Sequence, residues 1–133
     1  MRKTLFSARP LSIDLGLLIL RIVAGVAMIT HGWPKFQKIL DGNFKFGDPI
    51  GIGPENSLFL AVFAEFICSI LLILGLATRF ATIPLIITMI VAFFVVHGAD
   101  DFGTKEKAFL FLGMYASIFI TGPGKISLDK LIR

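Results

Sequence analysis

Cysteine is almost missing from these 133 residues; Cys68 stands alone. A single thiol excludes an intramolecular disulfide, a CxxC redox pair and a cysteine-based zinc site. Charge is scarce as well. Asp, Glu, Lys and Arg make up 17% of the chain, against about a quarter in a soluble domain. The basic residues are dispersed, which excludes the concentrated patch that nucleic-acid binding needs. The glycines of "GIGPEN" (51–56) are followed by no Lys-Ser/Thr, so they do not form a phosphate loop. No motif for haem, flavin or an iron–sulfur cluster occurs, so electrons for any redox chemistry come from a partner.

What the chain has instead is hydrocarbon. Apolar residues reach 56%, and Phe occurs fourteen times. The excess falls in four runs, 13–33, 58–77, 80–97 and 107–121. A helix needs about 20 residues to cross a bilayer core. The first three runs meet that length, and Lys105 and Lys107 can snorkel to extend the fourth. Backbone polar groups in lipid must be satisfied internally. Barrel strands would alternate over about ten residues, whereas these runs are apolar on all sides. The expected fold is all-α, a four-helix transmembrane bundle in a lipid bilayer. A basic start and Ala24-Gly25-Val26-Ala27 loosely imitate a signal peptide. Pro10, Asp14 and Arg21 interrupt its apolar core, so cleavage is not expected.

The connections carry the turn chemistry. In "ITHGWPKF" (29–36), Pro34 is expected to stop the first helix, Trp33 to anchor it at the interface and Lys35 to sit among headgroups. The segment 34–56 holds Pro34, Pro49, Pro54 and four glycines, and reads as a loop, the best candidate for a lid. Phe36, Phe44 and Phe46 would tuck into the headgroup region or cap the bundle from it. A turn at Thr78-Arg79 makes the second and third helices antiparallel neighbours. Gly122-Pro123-Gly124 ends the fourth, and a short amphipathic tail follows. With four spans both termini share a side. That side carries seven basic residues (Arg2, Lys3, Arg9, Arg79, Lys125, Lys130, Arg133) and the other five. The bias favours a multi-pass inner (plasma) membrane protein with both termini cytoplasmic.

Two charges lie inside apolar runs, Arg21 and Glu65. Each costs at least about 2.5–3.5 kcal/mol near the bilayer centre. Arg21 lies about 18 Å below the outer surface, and Glu65 and Tyr115 about 13 Å below it, at the helical rise. The expectation is a buried Arg21–Glu65 ion pair facing the interior, with Tyr115 near it. Such a pair is either a packing device or a ligand or proton site. Glu65, Cys68 and Ser69 share a face by i, i+3, i+4 spacing, and Ser69 can hydrogen-bond across helices. Cys68 also reads as a small core residue. Arg21, Gly25, Met28 and Gly32 share a face, with the glycines allowing close helix approach. His31 and His97, each followed by glycine, end their helices at matching depth. They read either as interfacial caps or as a proton-relay pair. Arg21, Glu65, His31 and His97 are the candidate catalytic groups, and Tyr115, Cys68 and Ser69 the candidate ligand-binding groups. No spacing enforces a metal site, and none is expected. Glu106 and Tyr115, nine residues apart, point to opposite sides of their helix.

Three stretches carry a family resemblance: Arg21 with His31-Gly32-x-x-Lys35; Glu65 with Leu74-Gly75-Leu76-x-Thr78-Arg79; and Gly122-Pro123-Gly124-x-x-Ser127-Leu128-Asp129. Together they resemble the DoxX family of small four-helix membrane proteins, from about Leu17 to Asp129. One DoxX-like transmembrane domain over 1–133 is implied. Ser69 stands where members often carry glycine, and Thr104-Lys105 where they often carry Asn-Gly. The family is similar to a subunit of archaeal thiosulfate:quinone oxidoreductase, and some members are linked to complexes handling oxidative or thiol stress. The resemblance therefore implies redox work with quinone or small sulfur compounds, as an accessory subunit with a redox partner protein or a second copy. A non-enzymatic membrane scaffold and a small-solute or proton transporter are the alternatives.

Overall fold

The computed structural model describes residues 2–133, with side chains from Thr4 onward. The side chains of Arg2 and Lys3, which entered the charge comparison, lie outside the described residues. Among the described residues six helices follow one another: α1 (Arg2–Leu5), α2 (Ile13–Leu40), α3 (Pro54–Leu74), α4 (Thr78–Val96), α5 (Phe102–Thr121) and α6 (Leu128–Ile132). The helices α2 to α5 form an antiparallel bundle, and among the described residues there is no strand. α2, α3 and α4 are long and apolar enough to cross a membrane. α5 has 20 residues, about 30 Å at the helical rise, with Lys105, Glu106 and Lys107 confined to its outer end.

The outside of the bundle is the apolar surface. Val23, Phe59, Ile67, Phe80, Ile87, Ile90, Phe94 and Leu110 are exposed, while Arg21, Glu65, Ser69 and Thr82 are buried. A soluble domain cannot carry so continuous an apolar surface; lipid covers it. The interior packs Ala24, Met28, Cys68, Leu72, Leu85, Phe111, Tyr115 and Ile118. Gly25 and Gly32 are where α2 meets α3. A Cβ at Gly32 would lie 2.6 Å from the carbonyl carbon of Glu65, and one at Gly25 2.4 Å from a side-chain carbon of Ile73. The small residues thus set the α2–α3 distance.

Helix boundaries depart from expectation in instructive ways. α2 does not stop at Pro34 but continues to Leu40. An interior proline costs about 3 kcal/mol. Past it, Phe36 stacks on Phe66 at 4.8 Å and Lys35 bonds Glu65, contacts with α3 that only a continued helix can make. The loop therefore shrinks from 34–56 to 41–53, and Trp33 stands about 10 Å inside the helix end. α3 begins early because Pro54 suits its first turn. It ends at Gly75, whose φ of 69° fits the left-handed stop. α4 starts at Thr78, so the turn is Gly75–Ala77 and not Thr78-Arg79. Asp101 caps α5, accepting from the Thr104 N–H, and so starts it at Phe102. α3 and α4 each contain a wide π-helical turn, Phe63–Cys68 and Ala92–Val96.

Candidate functional site

Seven-residue spacing lines up Arg21, Met28 and Lys35 on the inner face of α2. Because α2 passes Pro34 intact, Lys35 remains on that face. Gly32 lets α2 settle on the π turn of α3 that carries Glu65. The Lys35 ammonium donates to both carboxylate oxygens of Glu65, at 2.6 and 2.7 Å. The Glu65 side chain is 5% exposed and that of Lys35 29%. A π turn inside an α-helix often marks a functional site, and here it holds the one buried carboxylate among the described residues.

The expected Arg21–Glu65 pair is not formed. The guanidinium of Arg21 donates instead to four carbonyls: Leu72 (3.0 Å), Ile73 (3.2 Å), Pro123 (2.6 Å) and Ile126 (2.7 Å). Depth explains the error. Gly32 packs level with Glu65, and Arg21 lies eleven residues below Gly32, about 16 Å at the helical rise. That offset exceeds the reach of an arginine. Two of the Arg21 acceptors are carbonyls in the last turn of α3, where the helix dipole favours a cation. The other two belong to the tail. Arg21 thus fastens the C-terminal segment to the bundle. Asp129 completes this closure. Its carboxylate accepts the N–H groups of Ala77 and Thr78, at 2.8 and 3.0 Å, and its own N–H donates to the Gly75 carbonyl. Ala77, left-handed at φ 48°, is held in that conformation by these bonds.

Above the Lys35–Glu65 pair, toward the outer end, the four helices enclose a cavity of about 570 Å³. That size suits a small organic ligand. His31, Lys35, Glu65, Thr88, His97 and Lys105 supply its polar groups; Met28, Leu60, Ile87 and Phe111 are among its apolar walls. The 41–53 loop leans over the mouth with Phe46, Pro49 and Ile50, and the ammoniums of Lys35 and Lys38 lie 5.9 and 5.7 Å from the Phe46 ring centre. His31 meets the Phe111 ring edge-on at 6.2 Å, and His97 contacts Asp100 at 2.8 Å.

His31, His97 and Glu65 line one cavity. Arg21 does not, and neither do Tyr115, Cys68 and Ser69, which are fully buried below it. Tyr115 stacks on Phe111 at 5.8 Å. The hydroxyls of Tyr115 and Ser69 have no hydrogen-bond partner among the described residues. Among those residues no three potential ligands cluster as a metal site would need. Lys35 is the residue that sequence reasoning missed as a site member. Its signal was present in the register 21, 28, 35, once Pro34 is allowed inside the helix.

A DoxX family model matches residues 16–98. The chain is 30% identical over 122 residues to a Bacillus subtilis protein named "Putative oxidoreductase CatD", covering 91% of this chain and 90% of that one. It is 34% identical over 125 residues to an uncharacterized Haemophilus influenzae protein, covering 86% and 88%. It is 27% identical over 124 residues to the Escherichia coli inner membrane protein YqjF, covering 90% and 94%. No solved structure matches.

Proposed function

The chain belongs to the DoxX family, and from that premise we propose that its outer cavity binds a quinone as the membrane subunit of a redox system. The observation that carries this reading is the Lys35–Glu65 pair at the floor of a mainly apolar cavity rimmed by His31 and His97. Reduction of a quinone consumes two electrons and two protons. The electrons come from a partner redox protein. The chain's own residues serve the head and the protons. The Lys35 ammonium orients a ring carbonyl by donating to it, Glu65 exchanges a proton in that contact, and His31 and His97 link the floor to outer water. The apolar walls hold a planar ring and exclude bulk water. A small sulfur compound as electron donor would approach the same rim, where Lys105 and Lys107 give a positive field. Arg21 has a structural part, and Tyr115, Cys68 and Ser69 support the floor from below.

The same reading makes the protein a multi-pass inner membrane protein with both termini cytoplasmic. The name of the Escherichia coli relative and the basic excess of the terminal side support it. A C-terminal fluorescent-protein fusion should glow, and a C-terminal alkaline phosphatase fusion should be inactive; the reverse pattern overturns the orientation.

Binding is testable with the protein in lipid nanodiscs and a tail-less benzoquinone as probe. Trp33, the only tryptophan, is exposed and outside the cavity wall, so the reporter is a Trp33→Phe, Phe46→Trp chain whose single tryptophan lines the cavity and reports occupancy by quenching. Saturable quenching is expected for the reporter chain, with at least about tenfold weaker binding, some 1.4 kcal/mol, for Glu65→Gln. Unchanged binding in that variant counts against the role of the pair. If the swap Lys35→Glu with Glu65→Lys restores binding in full, the pair is structural only.

A further inference from the structure

The cavity has an asymmetry that the redox reading does not use. α3 and α4 are joined tightly at Gly75–Ala77, and their inner and central parts pack together. The outer third of α3, Pro54–Val62, makes no substantial contact with α4. The two helices therefore part toward the outer side. Leu60 and Ala61 flank the opening on α3, and Ile87 and Val91 on α4; all four also line the cavity. Leu60 is 54% exposed and Ile87 56%. The same side chains thus face the cavity on one side and the lipid on the other. The hydroxyls beside the gap are already engaged, Ser57 donating to Asp48 and Thr88 to the Pro84 carbonyl, and among the described residues the one charged side chain that α3 or α4 sends into the cavity is Glu65 at the floor. The polar groups sit at the far wall, where Lys35 meets Glu65, and the loop residues Phe46, Pro49 and Ile50 cover the route from water.

We infer that the gap between the outer halves of α3 and α4 is a lateral portal, through which the ligand enters from the bilayer and its hydrocarbon chain remains in lipid. The ligand class is a single-chain amphiphile with a compact, uncharged, hydrogen-bonding head. Burying a polar head against Lys35 and Glu65 while an apolar chain runs between Leu60 and Ile87 satisfies both ends of such a molecule. The Lys35 ammonium at the floor is already neutralised by both Glu65 oxygens, which suits an uncharged head. The inference rests on the quinone reading and adds to it that the working quinone is long-tailed and arrives sideways.

The test is the double variant Leu60→Phe with Ile87→Phe. Both positions face lipid, so the added rings narrow the gap without entering the core; far-UV circular dichroism verifies the helix content. Native and variant chains in phosphatidylglycerol/phosphatidylethanolamine nanodiscs are titrated with a tail-less benzoquinone and with the same head carrying a long isoprenoid tail. Both chains carry the cavity tryptophan of the Trp33→Phe, Phe46→Trp reporter, and its quenching is followed in time. The portal predicts that the association rate of the long-tailed probe falls at least about tenfold in the variant, while the tail-less probe is unchanged. Equal behaviour of both probes in the variant overturns the portal and leaves the quinone site standing. A native chain that binds neither probe overturns the quinone site, and the portal with it.

Discussion

Replacing Lys35 by methionine is the sharpest perturbation the structure offers. The substitution keeps the length and apolar stem of the side chain and removes the ammonium that contacts both oxygens of Glu65 at 2.6 and 2.7 Å. Glu65 is 3% exposed and cannot turn to water. Breaking a buried pair from one side costs about 3–5 kcal/mol, because a buried charge is left alone. The 29% exposure of the lysine side chain shows that the pair is partly open toward the cavity, so the lower end, about 3 kcal/mol, is expected. The converse, Glu65→Gln, leaves a lysine that can swing into the cavity mouth, and should cost only about 1–2 kcal/mol. Removing both charges in Lys35→Met with Glu65→Gln leaves no buried charge alone, and neutral replacements of a buried pair are often close to neutral in cost. The double variant should therefore lie within about 1 kcal/mol of the native chain, a coupling of several kcal/mol in the cycle. Reversible unfolding of the purified protein in mixed lipid–detergent micelles, titrated with dodecyl sulfate and followed by far-UV circular dichroism, measures all four chains. Costs that simply add, or a Glu65→Gln defect larger than that of Lys35→Met, would refute the reasoning about which partner is trapped.

Other outcomes follow from the same coordinates. Arg21→Lys keeps the charge but not the fork. An ammonium cannot reach both the Leu72 and Ile73 carbonyls and the Pro123 and Ile126 carbonyls, so a loss of about 2–4 kcal/mol and faster tryptic cleavage after Lys125 are expected. Gly32→Ala would bring a methyl within 2.6 Å of the Glu65 backbone and should cost about 1–3 kcal/mol in the same unfolding assay. Gly113→Ala meets nothing within 4 Å and should be neutral or slightly stabilising. For Asp129, burial acts to raise the pKa, but the Thr78 and Ala77 N–H donors and the Arg133 charge outweigh it. The carboxyl therefore lies below its ordinary 3.8. A depressed carboxyl stabilises the fold above its unfolded pKa and loses that contribution as pH falls through the folded value. Thermal melts should show Asp129→Asn less stable than the native chain at neutral pH, with the difference shrinking below about pH 4; a constant difference would remove Asp129 from the closure.

The legibility of the sequence followed the range of the interaction concerned. Hydrophobic run length is a local property, so the four helices, their antiparallel order and the bilayer as solvent could be read directly. Gly25 and Gly32 announced a close helix contact by spacing alone. Gly122-Pro123-Gly124 announced the end of α5 for equally local reasons. His31 and His97 could be matched in depth because each sits near the outer end of its helix. Pro34 misled, because its local rule is a helix stop and the contacts that override it, Phe36 on Phe66 and Lys35 on Glu65, are made with another helix.

That override propagated into the pairing of charges. That Arg21 and Glu65 must be compensated inside the bundle is written in the chain, since lipid leaves a charge no other course. Their partners were settled by packing. The unbroken α2 displaces Arg21 along its axis to the carbonyls of the α3 end and the tail, and the π turn in α3 sets Glu65 against Lys35. Partner choice among buried charges depends on differences in axial position of a few residues. Those differences are fixed by where helices end and how closely they pack, neither of which a single chain's local pattern contains.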